Sequence, residues 1–398
     1  MYTLTKEQLF DDLLNAYKKA KLHKTTKPYV ISFEKKYEEK MRKLCDGLYN
    51  KTYKPSQSSC FIVNHPKKRE IFAAQFIDRI VHHLYFEYTH ELYEQTFITD
   101  SYSCIKNKGT HYGINRLKQH IAKESNNYQK TCYVLQMDIK GYFIHINREK
   151  LIEISEKQLE KMKTHKNKNC VFFDRYLDFD FIKYLGKTII LTNPTDNCNI
   201  ISPKFEWFEL PKSKSLFHTE ENCGLPIGNL TSQLMSNVYL NELDQFMKRE
   251  LKCKHYGRYV DDFYVVSCDK HFLHSIIPRI KEFLKNKLLL DIHDGKTKIT
   301  NVKHGVEFLG AFIKPYRTYI SNKTLKRIKN KLFKMQNDGI KSDPTFSINS
   351  YLGILKHYSS FKLRKELFQK ITVLYEYGVF NKTYTKFIPL HKINKHKK

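Results

Sequence analysis

Apolar residues recur near helical spacing in residues 4–20 (Leu4, Leu9, Leu13, Leu14, Tyr17) and again in residues 33–49 (Phe33, Tyr37, Met41, Leu44, Leu48). A basic stretch from Lys18 to Lys27 separates these two predicted helices. The run SSCFIVNHPKKREIFAAQF, residues 58–76, reads as strand, proline turn and strand, and DRIVHHLYFEYTHELYEQTF, 78–97, as one long helix. TCYVLQM, 131–137, is a short apolar strand that ends at Asp138. Residues 147–165 form a charged helix, and 166–222 are the least regular part of the chain, with NPTDNCNIISP, the sole Trp207 and the basic KSKS. That segment is expected to be a loop-rich insertion. Residues 231–250 return to helix through Leu234, Val238, Leu240, Leu243 and Phe246. HYGRYVDDFYVVS, 255–267, is expected to be two strands meeting at a turn that carries carboxylates. A helix over 271–287, a strand–turn region LLLDIHDGKTKI and a strand GVEFLGAFI follow.

Charge changes the picture. Seventy Lys and Arg against 41 Asp and Glu give a formal charge of +29, which favours a polyanionic partner, nucleic acid before membrane. Residues 321–398 hold eighteen Lys/Arg against four Asp/Glu, about half the excess. There, Lys323, Arg327, Lys331 and Lys334 share one helical face, while Leu325, Ile328 and Leu332 share another. No acid interrupts the stretch from Leu325 to Asn337, so this cationic face suits a phosphate backbone better than plain solvation. HKINKHKK at the C-terminus reads as a frayed basic tail. No apolar run reaches 18 residues, and the charged, amphipathic N-terminus does not read as a signal peptide. Nine dispersed cysteines without a C-x-x-C pair suggest reduced thiols in a cytoplasmic protein and argue against a zinc module.

Three aspartates carry the candidate chemistry: Asp138 at a strand end, and Asp261 and Asp262 side by side at the hairpin turn. Adjacent carboxylates repel each other, and their burial is costly unless a cation neutralises them. Aspartate is also an ordinary turn residue. Here, however, the pair interrupts an apolar run of Tyr259, Val260, Phe263, Tyr264, Val265 and Val266, without the glycine or asparagine of a solvated turn. Hard oxygen donors suit Mg²⁺. Two such ions about 4 Å apart serve in-line phosphoryl transfer, one activating a 3′-hydroxyl and one holding a triphosphate.

Taken in order, the motifs resemble those of reverse transcriptases, and the resemblance covers nearly the whole chain. YVDD resembles the palm hairpin, and QMDIKGYF, 136–143, the first palm motif. There the resemblance makes Asp138 a metal ligand, with Ile139 beside it through its main chain, and Phe143 the aromatic steric gate. An ordinary core phenylalanine is the alternative. PKKREIFAAQF resembles the fingers motif that places Arg69 on the incoming triphosphate, and SYSCIKNKGTHYGI the block whose Lys108 and Gly109 touch template–primer. GLPIGNLTSQLMSNVYL, 224–240, resembles the floor of the nucleotide site, with Ile227, Gly228 and Gln233. Lys296 takes the position of the palm lysine near the pyrophosphate, and Phe308, Leu309 and Gly310 of GVEFLG that of the primer grip. Arg69 and Lys296 could otherwise be solvated cations. The implied fold is an α+β right hand: an N-terminal helical extension (1–60), fingers (61–137), palm (138–315, with the 166–222 insertion) and a basic helical thumb with tail (316–398).

The form I-G-N-x-T-S-Q, DRIVHH, the KGTH block and NSYLGILKHYSSFKLR are similar to reverse transcriptases of diversity-generating retroelements. Ala311 after FLG and the length of the insertion depart from the family pattern. The resemblance implies Mg²⁺ (Mn²⁺ substituting), deoxynucleotides, a template RNA and a DNA or RNA-primed cDNA primer. It also implies error-prone copying at template adenines for mutagenic retrohoming, in a bacterial or phage setting, with a small basic accessory protein as candidate partner. A defence-associated or retron-like reverse transcriptase and a non-catalytic RNA-binding scaffold remain the alternatives. His82–His83 is expected to be structural, because adjacent side chains diverge on a helix.

Overall fold

The computed structural model describes residues 3–64, 67–165, 171–172 and 175–393. The tail reading falls mostly on residues 394–398, outside the described ones. The chain divides into two compact units. One comprises Met1–Asn107, Met137–Phe263 and Ser275–Thr297, and the other Lys108–Gln136, Tyr264–His274 and Lys298–Lys398.

In the first unit, Thr5 opens the helix Lys6–Lys21 with a capping box, the Gln8 amide donating to Thr5 Oγ1 and the Thr5 amide to Gln8 Oε1. Leu9, Leu13, Ala16, Tyr17 and Ala20 are its buried residues, and it packs on the long helix Phe76–Glu94. The helix expected over 33–49 is corrected to two, Pro28–Glu34 and Tyr37–Tyr49. Pro28 sets the first turn early because its fixed φ suits that position. Lys36, at φ −129° and ψ 39°, breaks the run. The strand–turn–strand expected over 58–76 is present as a hairpin: Ser58–Val63 pairs antiparallel with Arg69–Ala73, with Val63 opposite Arg69.

Part of the segment 166–222, expected to be loop-rich, is helical, and residues 166–170 and 173–174 of it lie outside the described ones. Asp178 accepts from the amides of Asp180 and Phe181 and starts a helix, Phe179–Leu191, which packs on Arg148–His165 and Phe76–Glu94. Cys198–Ile200 then adds a parallel third strand to the hairpin Ser58–Val63/Arg69–Ala73. Glu70, on that hairpin, is buried and accepts from Trp207 Nε1 at 2.7 Å, Ser215 Oγ at 2.8 Å and the Leu216 amide at 2.7 Å. A buried carboxylate needs such partners, so the segment is anchored to this hairpin. The helix Leu230–Gln245 is buried along most of its length between Phe76–Glu94 and Arg148–His165, even at Asn237, Asn241 and Asp244.

Asp138 ends the strand Tyr133–Asp138, and the strands His255–Tyr259 and Asp262–Ser267 flank the other two aspartates. In the second unit, Tyr133–Gln136 pairs antiparallel with Lys298–Asn301. The single strand expected over GVEFLGAFI is a hairpin, Val306–Phe308 with Ala311–Lys314, turned by Leu309 (φ +49°) and Gly310 (φ +82°). Ala311 is fully buried and also pairs with Ile320 of the next strand, Arg317–Ile320. Ser321 Oγ accepts from the Thr324 amide and caps the helix Asn322–Asp338. Ile328 and Leu332 join Ile348, Leu352, Leu355 and Phe368 in a core of this unit. Among the described residues no helix is long and apolar enough to cross a membrane.

Candidate active site

Asp138 ends an apolar strand in which Val134, Leu135 and Met137 are buried, and its side chain is itself nearly buried. The chain 291–293 runs antiparallel beside it: Lys140 N–H donates to Asp291 O at 2.8 Å, and His293 N–H to Asp138 O at 2.8 Å. A short 3-10 turn, Asp294–Lys296, follows and carries Lys296 Nζ to 2.6 Å from Asp138 Oδ1. Lys296 therefore joins the carboxylates across 158 residues of sequence.

Asp261 and Asp262 sit where His255–Tyr259 turns into Asp262–Ser267. Burial and the nearby Asp138 carboxylate raise the Asp261 carboxyl above its ordinary range, with its own amide and Lys296 opposing. Asp262 reaches solvent at the end of its strand, yet loses enough hydration that its carboxyl is pushed up to about 7, helped by the charge of Asp261 and by hydrogen bonding with Asp138. The site thus holds more negative charge than Lys296 compensates. Among the described residues no three His, Cys, Asp or Glu side chains close into a ready-made metal cage. The donor set fits Mg²⁺ better than a caged ion, because Mg²⁺ takes one or two carboxylates and fills its octahedron with water and phosphate oxygens.

The turn is strained. Val260, a β-branched residue, lies at φ +56°, a conformation that costs on the order of 1–3 kcal/mol and persists only where the surroundings over-determine it. Both of its backbone polar groups are held by side chains: its N–H donates to Ser103 Oγ at 3.2 Å, and its carbonyl accepts from Arg258 Nη1 at 3.0 Å. Arg258 is completely buried. It pairs bidentately with the equally buried Asp244, Nε to Oδ1 at 2.8 Å and Nη2 to Oδ2 at 2.6 Å. Burial alone would lower the Arg258 pKa; the Asp244 charge and hydrogen bonds outweigh it and raise it. Tyr256 Oη donates to Asp244 at 2.6 Å, and Arg258 Nη1 reaches Asn237 Oδ1 at 3.3 Å. Asn237 in turn accepts from Ser103 Oγ at 3.2 Å and donates to Ser103 O at 2.8 Å.

The other expected residues fall as follows. Arg69 is exposed at the start of its hairpin strand. Phe143 is half-buried on the short helix Tyr142–His145, and its carbonyl accepts from the Leu225 amide at 2.8 Å. The segment 224–240 meets the hairpin Ser58–Val63/Arg69–Ala73, with Phe72 N–H donating to Ile227 O at 3.2 Å. Gly228 has φ +126°, and a Cβ there would stand 3.1 Å from Ile71 Cγ2 and 3.3 Å from Phe72 O, so both conformation and space favour glycine. Gln233 is exposed, and its Oε1 accepts from Cys104 Sγ at 3.5 Å. In the second unit, Gly109 is the N-cap of the helix Thr110–Glu124, and Lys108 Nζ lies 6.0 Å from the Tyr112 ring centroid. Phe308 is buried edge-on to Tyr264, centroids 5.2 Å apart, with Leu309 and Gly310 at the hairpin tip. Lys323, Arg327, Lys331 and Lys334 are all exposed, opposite the buried Ile328 and Leu332. His82, half-buried and pushed down to about 4 by lost hydration and by the charges of His83 and Arg79, hydrogen-bonds Thr231 at 2.7 Å, a structural setting. The residues that hold Val260 in place were not foreseen. Their signal was an arginine inside an apolar strand, and Asn237 and Asp244 seven residues apart on one face of a buried helix.

The profile of the reverse transcriptase (RNA-dependent DNA polymerase) family matches residues 64–313, more than half of the chain. The chain belongs to the reverse transcriptase family. All three aspartates, Lys296 and residues 224–240 fall inside the matched span; Lys323, Arg327, Lys331 and Lys334 fall beyond it. The chain is similar, at 22% identity over 346 residues, to the group II intron-encoded protein LtrA of Lactococcus lactis subsp. cremoris, covering 71% of this chain and 51% of that protein. It spans about half the length of the curated relatives it matches. Solved structures similar to it include apo telomerase from Candida tropicalis truncated from the C-terminal domain, at 12% identity and TM-score 0.47, covering 67% of this chain and 55% of that one. Telomerase from Candida albicans with a fragment of telomeric RNA matches at 12% identity and TM-score 0.44, covering 83% and 58%. Divalent metal ions are general to reverse transcriptase domains.

Proposed function

We propose that the chain is an RNA-directed DNA polymerase of the diversity-generating retroelement type, acting in the cytoplasm on a template RNA, a primer and deoxynucleotides. The observation that carries the polymerase reading is the meeting of Asp138, Asp261 and Asp262, with Lys296, within one compact unit. Asp138, Asp261, Asp262 and the Ile139 carbonyl would hold two Mg²⁺ ions. Bound there, the ions supply an acidified 3′-hydroxyl and a neutralised triphosphate. Arg69 grips the triphosphate, and Lys296 passes its charge between Asp138 and the phosphates. Ile227, Gly228 and Gln233 form the floor, and Phe308–Gly310 the primer grip. Lys108, Gly109 and the thumb cations hold the duplex. Fingers, palm and thumb take the boundaries 61–137, 138–315 and 316–398, behind the 1–60 extension.

Phe143 is the sugar gate in this reading. Phe143→Ala is expected to admit ribonucleotides that the wild type rejects, because the smaller side chain leaves room for a 2′-hydroxyl. Incorporation of each sugar by the two forms measures it. Unchanged discrimination would make Phe143 a packing residue.

The retroelement reading rests on Ile227. Its backbone is fixed to the fingers hairpin through Phe72, but an isoleucine side chain offers the nascent pair no hydrogen bond where glutamine is usual. One hydrogen bond contributes about 1 kcal/mol, and 1.4 kcal/mol is about tenfold in discrimination. Wild type is therefore expected to misincorporate several-fold to tenfold more often than Ile227→Gln, with the resemblance pointing to template adenines. The test is to sequence cDNA made by both forms from one RNA of even base composition. Errors concentrated at adenines support the role, and accurate copying of adenines removes it while leaving polymerase activity standing. Absence of any cDNA would remove the polymerase reading as well.

A further inference from the structure

We propose that Ser103 and Arg258 are positioning residues that lock the Val260 turn and so set the Asp261–Asp262 pair for the divalent ions. The inference rests on the polymerase reading and concerns side chains that touch neither ion nor substrate. The two hydrogen bonds to Val260 fall on the peptide groups at either side of its left-handed Cα, the N–H held by Ser103 and the C=O by Arg258. The next residue is Asp261. With both peptide planes fixed, the path of the chain into the two aspartates is fixed.

The clamp is itself anchored in buried structure rather than in the turn. Asp244 and Asn237, on the helix Leu230–Gln245, orient the Arg258 fork and the Ser103 hydroxyl respectively. The backbone of 100–102 adds a second attachment, with Arg258 N–H donating to Asp100 O at 2.9 Å and Tyr102 N–H to Arg258 O at 3.0 Å. A bidentate, fully buried guanidinium has little freedom to move, so the turn inherits the rigidity of the helix. The arrangement answers a need of this site. Two like charges on adjacent residues, with Asp138 facing them, would drive a free turn apart. Sites that hold reacting groups need support from surrounding residues to keep productive geometry.

Ser103→Ala removes the acceptor for the Val260 amide, together with the hydroxyl's own donation to Asn237 Oδ1, and leaves the Arg258–Asp244 pair intact. The expected signature is a kcat about tenfold lower with the deoxynucleotide KM within about twofold, the scale of one hydrogen bond. Mn²⁺ binding, read by electron paramagnetic resonance on protein without nucleotide, should weaken several-fold, while the thermal transition stays cooperative. Ser103→Thr, which keeps the hydroxyl, should restore both values. A folded Ser103→Ala with wild-type Mn²⁺ binding and kcat overturns the proposal, as does an equal loss in Ser103→Thr. If Ser103→Ala does not fold, hydrogen exchange of the wild-type Val260 amide decides: slow exchange supports the clamp, and exchange as fast as an open turn overturns it. Failure of wild-type protein to extend a primer is a separate outcome that removes the polymerase reading underneath.

Discussion

Asp138→Asn, Asp261→Asn and Asp262→Asn are each expected to lose nucleotide incorporation while keeping RNA affinity within about twofold. The amide is isosteric but brings no negative charge, so the site forfeits part of its attraction for divalent ions. Removing one preorganised electrostatic group from an active site costs about 10²–10³-fold in kcat, and a direct metal ligand belongs at or beyond the upper end. Stability should change in the opposite sense. Asp261 and Asp262 both have carboxyls raised by burial and by neighbouring acids, which means their charged forms are strained in the folded chain. Neutralising either is therefore expected to leave the melting temperature unchanged or higher. Primer extension, RNA binding and thermal melting on the same preparations read all three. Loss of extension together with loss of folding would show that the aspartates act in stability instead, and wild-type-like extension by any one variant would remove it from the metal set.

The second large effect concerns the thumb helix Asn322–Asp338. Replacing Lys323, Arg327 and Lys331 with Gln together is expected to reduce the dependence of template–primer affinity on salt. Each phosphate contact contributes roughly 0.7–0.9 to the slope of log affinity against log salt. Losing all three contacts therefore lowers the slope by about 2–3. The side chains are exposed, and the buried face of the helix is carried by Ile328 and Leu332, so folding should be preserved. Binding isotherms at several salt concentrations give the slope. An unchanged slope would turn this face away from the nucleic acid.

What could be read from the sequence was whatever local pattern encodes. Asp261 and Asp262 stand out because charge interrupts an apolar run, and Asp138 because it terminates one. The thumb helix shows both faces in its periodicity, and the structure keeps the basic one exposed. Hidden features depend on distance along the chain or on backbone states that residue types do not announce. The Lys296–Asp138 pair joins positions 158 apart, and Ser103 reaches Val260 across 157. Leucine at φ +49° gives no turn signal, so the hairpin at Leu309–Gly310 read as one strand. The helix Phe179–Leu191 was concealed by Asp, Asn and Pro on its C-terminal side, and its stability comes from packing on Phe76–Glu94 and Arg148–His165. Glu70 is buried only because Trp207, Ser215 and Leu216, 137 to 146 residues away, close around it.

The proposed role of these carboxylates is template-directed nucleotide addition. Its most direct test is single-nucleotide extension of a labelled DNA primer annealed to a defined RNA, offering one deoxynucleotide at a time with Mg²⁺, beside Asp261→Asn. The account predicts that wild type adds predominantly the complementary deoxynucleotide, that a chelator stops the addition and fresh Mg²⁺ restores it, and that the variant adds none. Absence of templated addition by folded wild-type protein, or equal addition by Asp261→Asn, would contradict it.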